Sequence, residues 1–144
     1  MLVKKLEVAV LLSFAGGILI LLSGLFSVFF GTALSILIMF GRNFLLSVAF
    51  MLFAGLAIVG IGFILNNNPK NARVLGLAAL ILGAILLLLN FRSVFSLNIP
   101  TMFGGSLTVV INGFIAVSGE VMSMIGGAFS LSWNPQRQPS ILNE

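Results

Sequence analysis

The stretch that decides the fold is residues 8–41, VAVLLSFAGGILILLSGLFSVFFGTALSILIMFG, which contains no charged side chain. Three more uncharged stretches follow, over residues 43–69, 74–91 and 93–119. A helix needs about 20 apolar residues to cross roughly 30 Å of hydrocarbon, and a helix satisfies its own backbone in lipid. None of the stretches alternates between apolar and polar residues as a membrane β-strand does. The sequence therefore predicts an all-α, membrane-type fold of about four very hydrophobic helices.

These helices are predicted to form a single domain over residues 1–133. The charges and turn residues place them at about 7–31, 44–65, 72–91 and 105–131. Because the connections are short, we expect two antiparallel hairpins. The tail, residues 134–144, contains two prolines and is predicted to be extended and polar.

The predicted connections are rich in turn-forming residues. Residues 41–43, GRN, interrupt the first apolar run, and residues 66–71, NNNPKN, are a strong turn signal. A third loop is predicted over residues 92–100, and two glycines at 104–105 precede the last helix. Trp133, at the end of that helix, is a predicted anchor at the membrane interface.

The first apolar run is longer than a bilayer requires. If residues 8–40 were one helix, it would be about 50 Å long. Either the span ends at Gly31-Thr32 and residues 33–40 lie at the interface, or one long helix belongs to an assembly that is not a bilayer. The N-terminal residues resemble the start of a signal peptide, but no small-residue cleavage site leads into a soluble domain, so we expect the segment to be retained.

Composition excludes most enzymatic chemistry. Hydrophobic residues make up 60% of the chain and charged residues 7%, against roughly a quarter charged in a soluble domain, so the outer surface must meet lipid or other copies of the chain. The sequence contains no Cys, His, Asp or Tyr, which removes Ser-His-Asp triads and the common metal sites. We expect no enzyme activity, no cofactor, no metal and no small-molecule substrate. The net charge of +4 comes from scattered cations, so no nucleic-acid-binding face is predicted.

Charge asymmetry predicts the topology. With four spans, the N-terminus, the 66–73 connection and the C-terminus share one side of the membrane. That side carries five cations and the other side two: Lys4, Lys5, Lys70, Arg73 and Arg137 against Arg42 and Arg92. Because positive residues concentrate on the cytoplasmic side, we expect both termini to be cytoplasmic.

Glycines recur every seven residues in the first three predicted helices. The residues are Gly17, Gly24 and Gly31 in the first helix, Gly55 and Gly62 in the second, and Gly76 and Gly83 in the third. Small residues let helix backbones approach each other in lipid, and a seven-residue period favours left-handed crossings near +20°. These glycines are therefore predicted to form tight helix contacts.

Glu120 is the one charged residue away from the ends of a predicted span, near the middle of the last helix. Small and polar residues share a face of that helix: Gly105, Thr108, Asn112, Ala116, Gly119, Glu120, Ser123, Gly127 and Ser130. An ionised carboxylate there costs several kcal/mol unless it is paired. Two interpretations follow: a proton or cation site formed by Glu120 with Asn112 and Ser123, or a structural hydrogen bond to Asn112, Ser118 or Ser123.

Two resemblances bear on function. Residues 71–77, NARVLGL, running into the four leucines at 86–89, resemble a phrase found in small four-span prokaryotic membrane proteins of unknown function. The composition as a whole is similar to that of the hydrophobic helical-hairpin coat proteins of archaeal spindle-shaped and related rod-shaped viruses. That second resemblance implies helices that pack on neighbouring copies to form a virion wall.

The function expected from these patterns is structural and non-enzymatic. The chain is predicted to associate with copies of itself through small-residue helix faces, as a virion coat protein or as a structural or accessory membrane subunit. Its other partner is lipid or another hydrophobic layer, and its location is an integral membrane or a virion. The alternative function is a small multi-span transporter or channel that uses Glu120 as a proton or cation site.

Overall fold

The structure, a computed structural model, describes the backbone of residues 2–35, 41–96 and 105–133, and the side chains of residues 5–29, 46, 48–90 and 112–133. Within these ranges the regular secondary structure is entirely helical, as predicted. The helices are α1 (Leu2–Ser35), α2 (Gly41–Asn67), α3 (Ala72–Ser96) and α4 (Gly105–Ser132), with a 3-10 turn at Pro69–Asn71. The predicted extended tail at 134–144 lies outside the described residues.

α1 continues past the point where the sequence suggested an end. It passes through Gly31-Thr32 without interruption to Ser35, and its 34 residues make it about 51 Å long. Glycine is tolerated inside membrane helices, so Gly31 alone does not end this one. Residues 41–43, predicted to lie in the connection that interrupts the first apolar run, instead form the first turn of α2. Residues 36–40 lie outside the described residues.

The connection between α2 and α3 is the turn that the sequence predicts. α2 ends at Asn67, and the backbone N–H of Asn68 donates to the carbonyl of Ile64 at 2.7 Å. Pro69 then opens the 3-10 turn, where its fixed φ is suitable and its missing N–H is not needed. The third predicted loop begins later than expected, because residues 92–96 are still helical.

The helices pack as a bundle in which α1 and α4 are central. α4 lies against both α1 and α3, and α1 also lies against α2, whereas α2 and α3 share much less contact. Along α1 and α2 the order of contacts is reversed: Phe14 meets Gly62, while Gly24 meets Leu52. The same reversal holds between α1 and α4 and between α3 and α4, so these neighbouring helices are antiparallel.

Two buried clusters form the core. The middle cluster joins all four helices through Ile20, Met51, Ala54, Ile58, Leu86 and Ala116. The second cluster lies where the start of α1, the α2–α3 turn and the end of α4 meet, and contains Ile61, Leu65, Ala72, Ala79 and Trp133. We call this the terminal end of the bundle. Trp133 is only 4% exposed there, so the prediction of an interface anchor is wrong: the indole packs inside the bundle end.

The outer surface of the described bundle is apolar on every helix. Large exposed side chains include Leu22 on α1, Phe53 on α2, Leu88 on α3 and Phe114 on α4. Each of the four described helices is long and apolar enough to cross a membrane, over Lys5–Phe29, Val48–Asn67, Pro69–Asn90 and Asn112–Ser132. The chain is therefore consistent with an integral membrane protein.

Candidate functional site

The polar face of α4 is divided between its two neighbours. Because α4 lies between α1 and α3, one edge of this face meets α1, as at Gly119 and Gly126, and the other edge meets α3, as at Gly127. Asn112 bonds to α1, whereas Glu120, Ser123 and Ser130 bond to α3. The small and polar face predicted for the last helix therefore joins α4 to two neighbouring helices and does not line one site.

Asn112 links α4 to two serines of α1. The Ser23 hydroxyl donates to Asn112 Oδ1 at 2.8 Å, and Asn112 Nδ2 donates to the Ser27 hydroxyl at 2.8 Å. Ser27 in turn donates to the Ser23 carbonyl at 2.9 Å. Each of these three side chains has a hydrogen-bond partner. Together they hold α1 against α4 through interhelical hydrogen bonds, as polar side chains do between membrane helices.

Two serines join α4 to the α3 backbone. The Ser123 hydroxyl donates to the Ala79 carbonyl at 3.3 Å, and the Ser130 hydroxyl donates to the Ala72 carbonyl at 2.6 Å. Both serines are fully buried. They fix the register of α3 against α4 at the terminal end of the bundle.

Glu120 lies between α3 and α4 and has no exposed surface. The side-chain amide of Asn90 donates to its Oε1 atom. Its other oxygen, Oε2, is buried and has no hydrogen-bond partner among the described residues. Leu86 and Ala116, one helical turn before Asn90 and Glu120, belong to the middle core cluster, so the carboxyl group adjoins apolar side chains.

The three residues predicted as a polar site do not converge. Asn112 bonds to α1, Ser123 bonds to the α3 backbone, and the described partner of Glu120 is Asn90. Sequence reasoning missed Asn90, although a signal was present: it is the one polar side chain in residues 74–91. A lone asparagine in an apolar span needs a partner, because its amide is costly to bury unpaired.

The glycines singled out from the sequence lie at helix contacts wherever their surroundings are described. An added Cβ would come within 2.7 to 3.2 Å of a neighbouring helix at Gly17, Gly24, Gly55, Gly62, Gly76 and Gly83. The first four lie between α1 and α2, and the last two between α3 and α4. The surroundings of Gly31 lie outside the described side chains.

The closest backbone approaches involve glycines that the seven-residue pattern did not include. A Cβ on Gly16 would lie 2.6 Å from the Gly119 carbonyl, and one on Gly127 would lie 2.6 Å from the Gly76 carbonyl. Gly119 and Gly127 were already placed on the small and polar face predicted for the last helix, and Gly119 and Gly126 are also seven residues apart. Gly16 was missed because its neighbour Gly17 was assigned to the pattern.

Glu120 is the only ionisable group that the structure describes within the bundle interior. The charged side chains described elsewhere, Lys5, Glu7, Lys70 and Arg73, are exposed. No group of three or more His, Cys, Asp or Glu that could hold a metal occurs among the described residues. The Ser13 hydroxyl is buried and, like Glu120 Oε2, has no hydrogen-bond partner in the described part of the chain. The described arrangement can therefore bind a proton or donate and accept hydrogen bonds.

Comparison of the chain with protein-family models, with curated proteins and with solved structures finds no match.

Proposed function

We propose that this chain is a non-enzymatic structural or accessory subunit that resides in a membrane and assembles with copies of itself. The observation that carries the proposal is the outer surface of the bundle. Large apolar side chains are exposed on all four described helices, whereas a soluble monomer rarely exposes a contiguous apolar patch larger than about a few hundred Å². Such a surface is stable only against lipid or against other apolar protein surfaces.

The interior supports the same proposal. Most hydrogen-bonding side chains described inside the spans are bonded to another helix of the same chain, as at Asn112, Ser123 and Ser130. These bonds join helices to each other and leave few polar groups for a substrate. The arrangement is that of a scaffold rather than of a binding cavity.

The surface for self-association is the outer apolar face. The glycine faces of Gly17, Gly55, Gly76 and Gly83 are already occupied by neighbouring helices within one chain. A second copy would therefore contact the side chains that are exposed in the single chain. In this proposal the small-residue faces pack the helices of one chain against each other, and the large exposed apolar side chains contact other copies.

Single-cysteine cross-linking tests the assembly. The chain contains no cysteine, so Leu22→Cys, Phe53→Cys, Leu88→Cys and Phe114→Cys each place one thiol on a different outer face. We expect at least one of them to give a covalent dimer in native membranes, measured by non-reducing electrophoresis. Ile58→Cys is the matched control, because Ile58 is fully buried and should give none. Absence of a dimer from all four outer variants would contradict self-association.

Cysteine labelling tests the location and topology. We propose that both termini and the α2–α3 turn are cytoplasmic, since the cations concentrate there. A membrane-impermeant maleimide should label Lys70→Cys only after the cells are opened, whereas Arg42→Cys should be labelled in intact cells. The reverse pattern would overturn the topology.

Recovery of the chain as the major species of purified virions, rather than in washed membranes, would support the coat-protein function instead.

A further inference from the structure

We propose that Glu120 and Asn90 form a proton-binding site inside the bundle, which is reached from the end opposite Trp133. The site is separate from the structural function, since it requires only one chain. The proton binds to Oε2 of Glu120, and Asn90 positions the carboxyl group through Oε1.

The unequal surroundings of the two carboxyl oxygens support this assignment. Oε1 accepts a hydrogen bond from the Asn90 amide, while Oε2 is buried with no partner among the described residues. A carboxylate accepts hydrogen bonds on both oxygens, and nearly all buried polar atoms have partners. When a lone pair of Oε2 forms an O–H bond with a proton delivered by hydronium, water is released and the carboxyl charge changes from −1 to zero. A neutral carboxyl group is far less costly than a charged one in an apolar span.

No described charge is close enough to compensate an ionised Glu120. On α1, Leu19 lies beside Gly119, and the cation Lys5 is fourteen residues, about 21 Å, from Leu19 along the axis; Glu7 is an acid and cannot compensate Glu120. On α3, Gly83 lies beside the Glu120 backbone, and Arg73 is ten residues, about 15 Å, away.

The remaining cations lie at the ends of the helices. Lys70, in the α2–α3 turn, lies at the terminal end and is exposed. α2 carries Arg42 in its first turn, and α3 carries Arg92 two positions after Asn90, which places its Cα on a different side of that helix. The side chains of Arg42 and Arg92 lie outside the described part. Within the described part, a proton is therefore what neutralises Glu120.

The donor set favours a proton over a metal ion. Hard cations such as Ca²⁺ and Mg²⁺ take six or more oxygen ligands. Glu120 and Asn90 together supply only two carboxyl oxygens and one amide oxygen, and no cluster of metal-binding side chains occurs among the described residues. A proton needs a single oxygen.

Asn90 marks the route to the site. It is the next-to-last residue of the uncharged stretch 74–91, so it lies close to the end of that apolar stretch. It is 9% exposed, whereas Glu120 is fully buried. Protons are therefore expected to reach Oε2 past Asn90, from the end opposite Trp133.

Infrared spectroscopy of one carboxyl group tests the proposal. The sequence contains only three acidic residues, so Glu7→Gln combined with Glu144→Gln leaves Glu120 as the sole acidic side chain of the full-length chain. In phosphatidylcholine vesicles, the C=O stretch of a protonated carboxylic acid should appear at low pH, decrease reversibly as pH rises and shift in D₂O. Adding Glu120→Gln should remove the band of Glu120 and leave only the weaker C=O stretch of the terminal α-carboxyl group, which titrates at about pH 3.5.

Two further variants test whether Asn90 positions the carboxyl group of Glu120 or only contributes to the packing of α3 against α4. Asn90→Leu should shift the frequency of the band, because it removes the hydrogen bond to Oε1. Ser123→Ala should leave the frequency unchanged, because Ser123 bonds to the α3 backbone and not to Glu120.

Each other outcome overturns the proposal. If Glu120→Gln removes a band that does not change with pH, or removes no band at any pH, Glu120 does not exchange protons. A band that responds to Na⁺ at constant pH would identify a metal-cation site instead. The cross-linking pattern of the assembly is expected to be the same with Glu120→Gln, so failure of the proton site and failure of the structural function are distinguishable.

Discussion

Gly16→Ala is expected to destabilise the bundle by about 1–3 kcal/mol, whereas Gly60→Ala stabilises it by up to about 1 kcal/mol. The two substitutions add the same methyl group inside a helix, and alanine favours a helix over glycine by roughly 1 kcal/mol. The two positions differ in the space available for the added methyl group. A Cβ on Gly16 would lie 2.6 Å from the Gly119 carbonyl, while a Cβ on Gly60 meets nothing within 4 Å.

The loss at Gly16 is large because the obstacle is backbone. The Cβ would also come within 2.7 Å of the Ser123 backbone nitrogen, and neither atom can move without shifting α4. Overpacking of this kind typically costs 1–3 kcal/mol, which exceeds the gain in helix propensity. Separation of α1 from α4 would also weaken the Ser23–Asn112 hydrogen bond, which joins the same two helices.

Reversible unfolding in mixed detergent micelles measures both variants. Gly119→Ala provides a second check, because its Cβ would lie 2.8 Å from the Gly16 carbonyl. Since Gly16→Ala and Gly119→Ala separate the same two helices, the double variant should lose less than the sum of the single losses. Equal stability of Gly16→Ala and Gly60→Ala would contradict the close contact between α1 and α4.

The helical fold could be predicted from the sequence because it follows from local properties. Uncharged stretches of about 20 residues require helices in lipid, and Pro69 within a run of asparagines requires a turn. The ends of helices were harder to predict. Arg42 lies in the first turn of α2 and Arg92 lies within α3, because a helix can continue through an arginine, whose long side chain carries its charge away from the apolar surface.

The partners of individual residues could not be predicted because they depend on the arrangement of the helices. Gly16 and Gly17 are adjacent in sequence, yet Gly16 meets α4 and Gly17 meets α2. Spacing identifies a small-residue face without identifying the helix that covers it. For the same reason, Asn90 could be recognised as a residue that needs a partner, but its pairing with Glu120, 30 residues away, required the structure.

Asn90→Leu and Glu120→Leu are each expected to destabilise the bundle by about 1–3 kcal/mol, while the double variant is close to the natural protein. Each single substitution leaves the other buried polar group without its partner, and an unpaired group carries its full desolvation cost. Replacing both groups by apolar side chains removes that cost, and such replacements of buried polar pairs are often neutral. The coupling between the two sites should therefore be nearly as large as the sum of the single losses.

This coupling is measured from the free energies of unfolding of the natural chain, the two single variants and the double variant. Asn90→Leu combined with Asn112→Leu is the matched control, because Asn112 bonds to α1 rather than to Asn90, and its losses should add. Additive losses for Asn90 and Glu120 would contradict their hydrogen bond. The double variant has a second use: because it retains the fold without the carboxyl group, any proton-dependent property that it loses belongs to Glu120 itself and not to unfolding of the bundle.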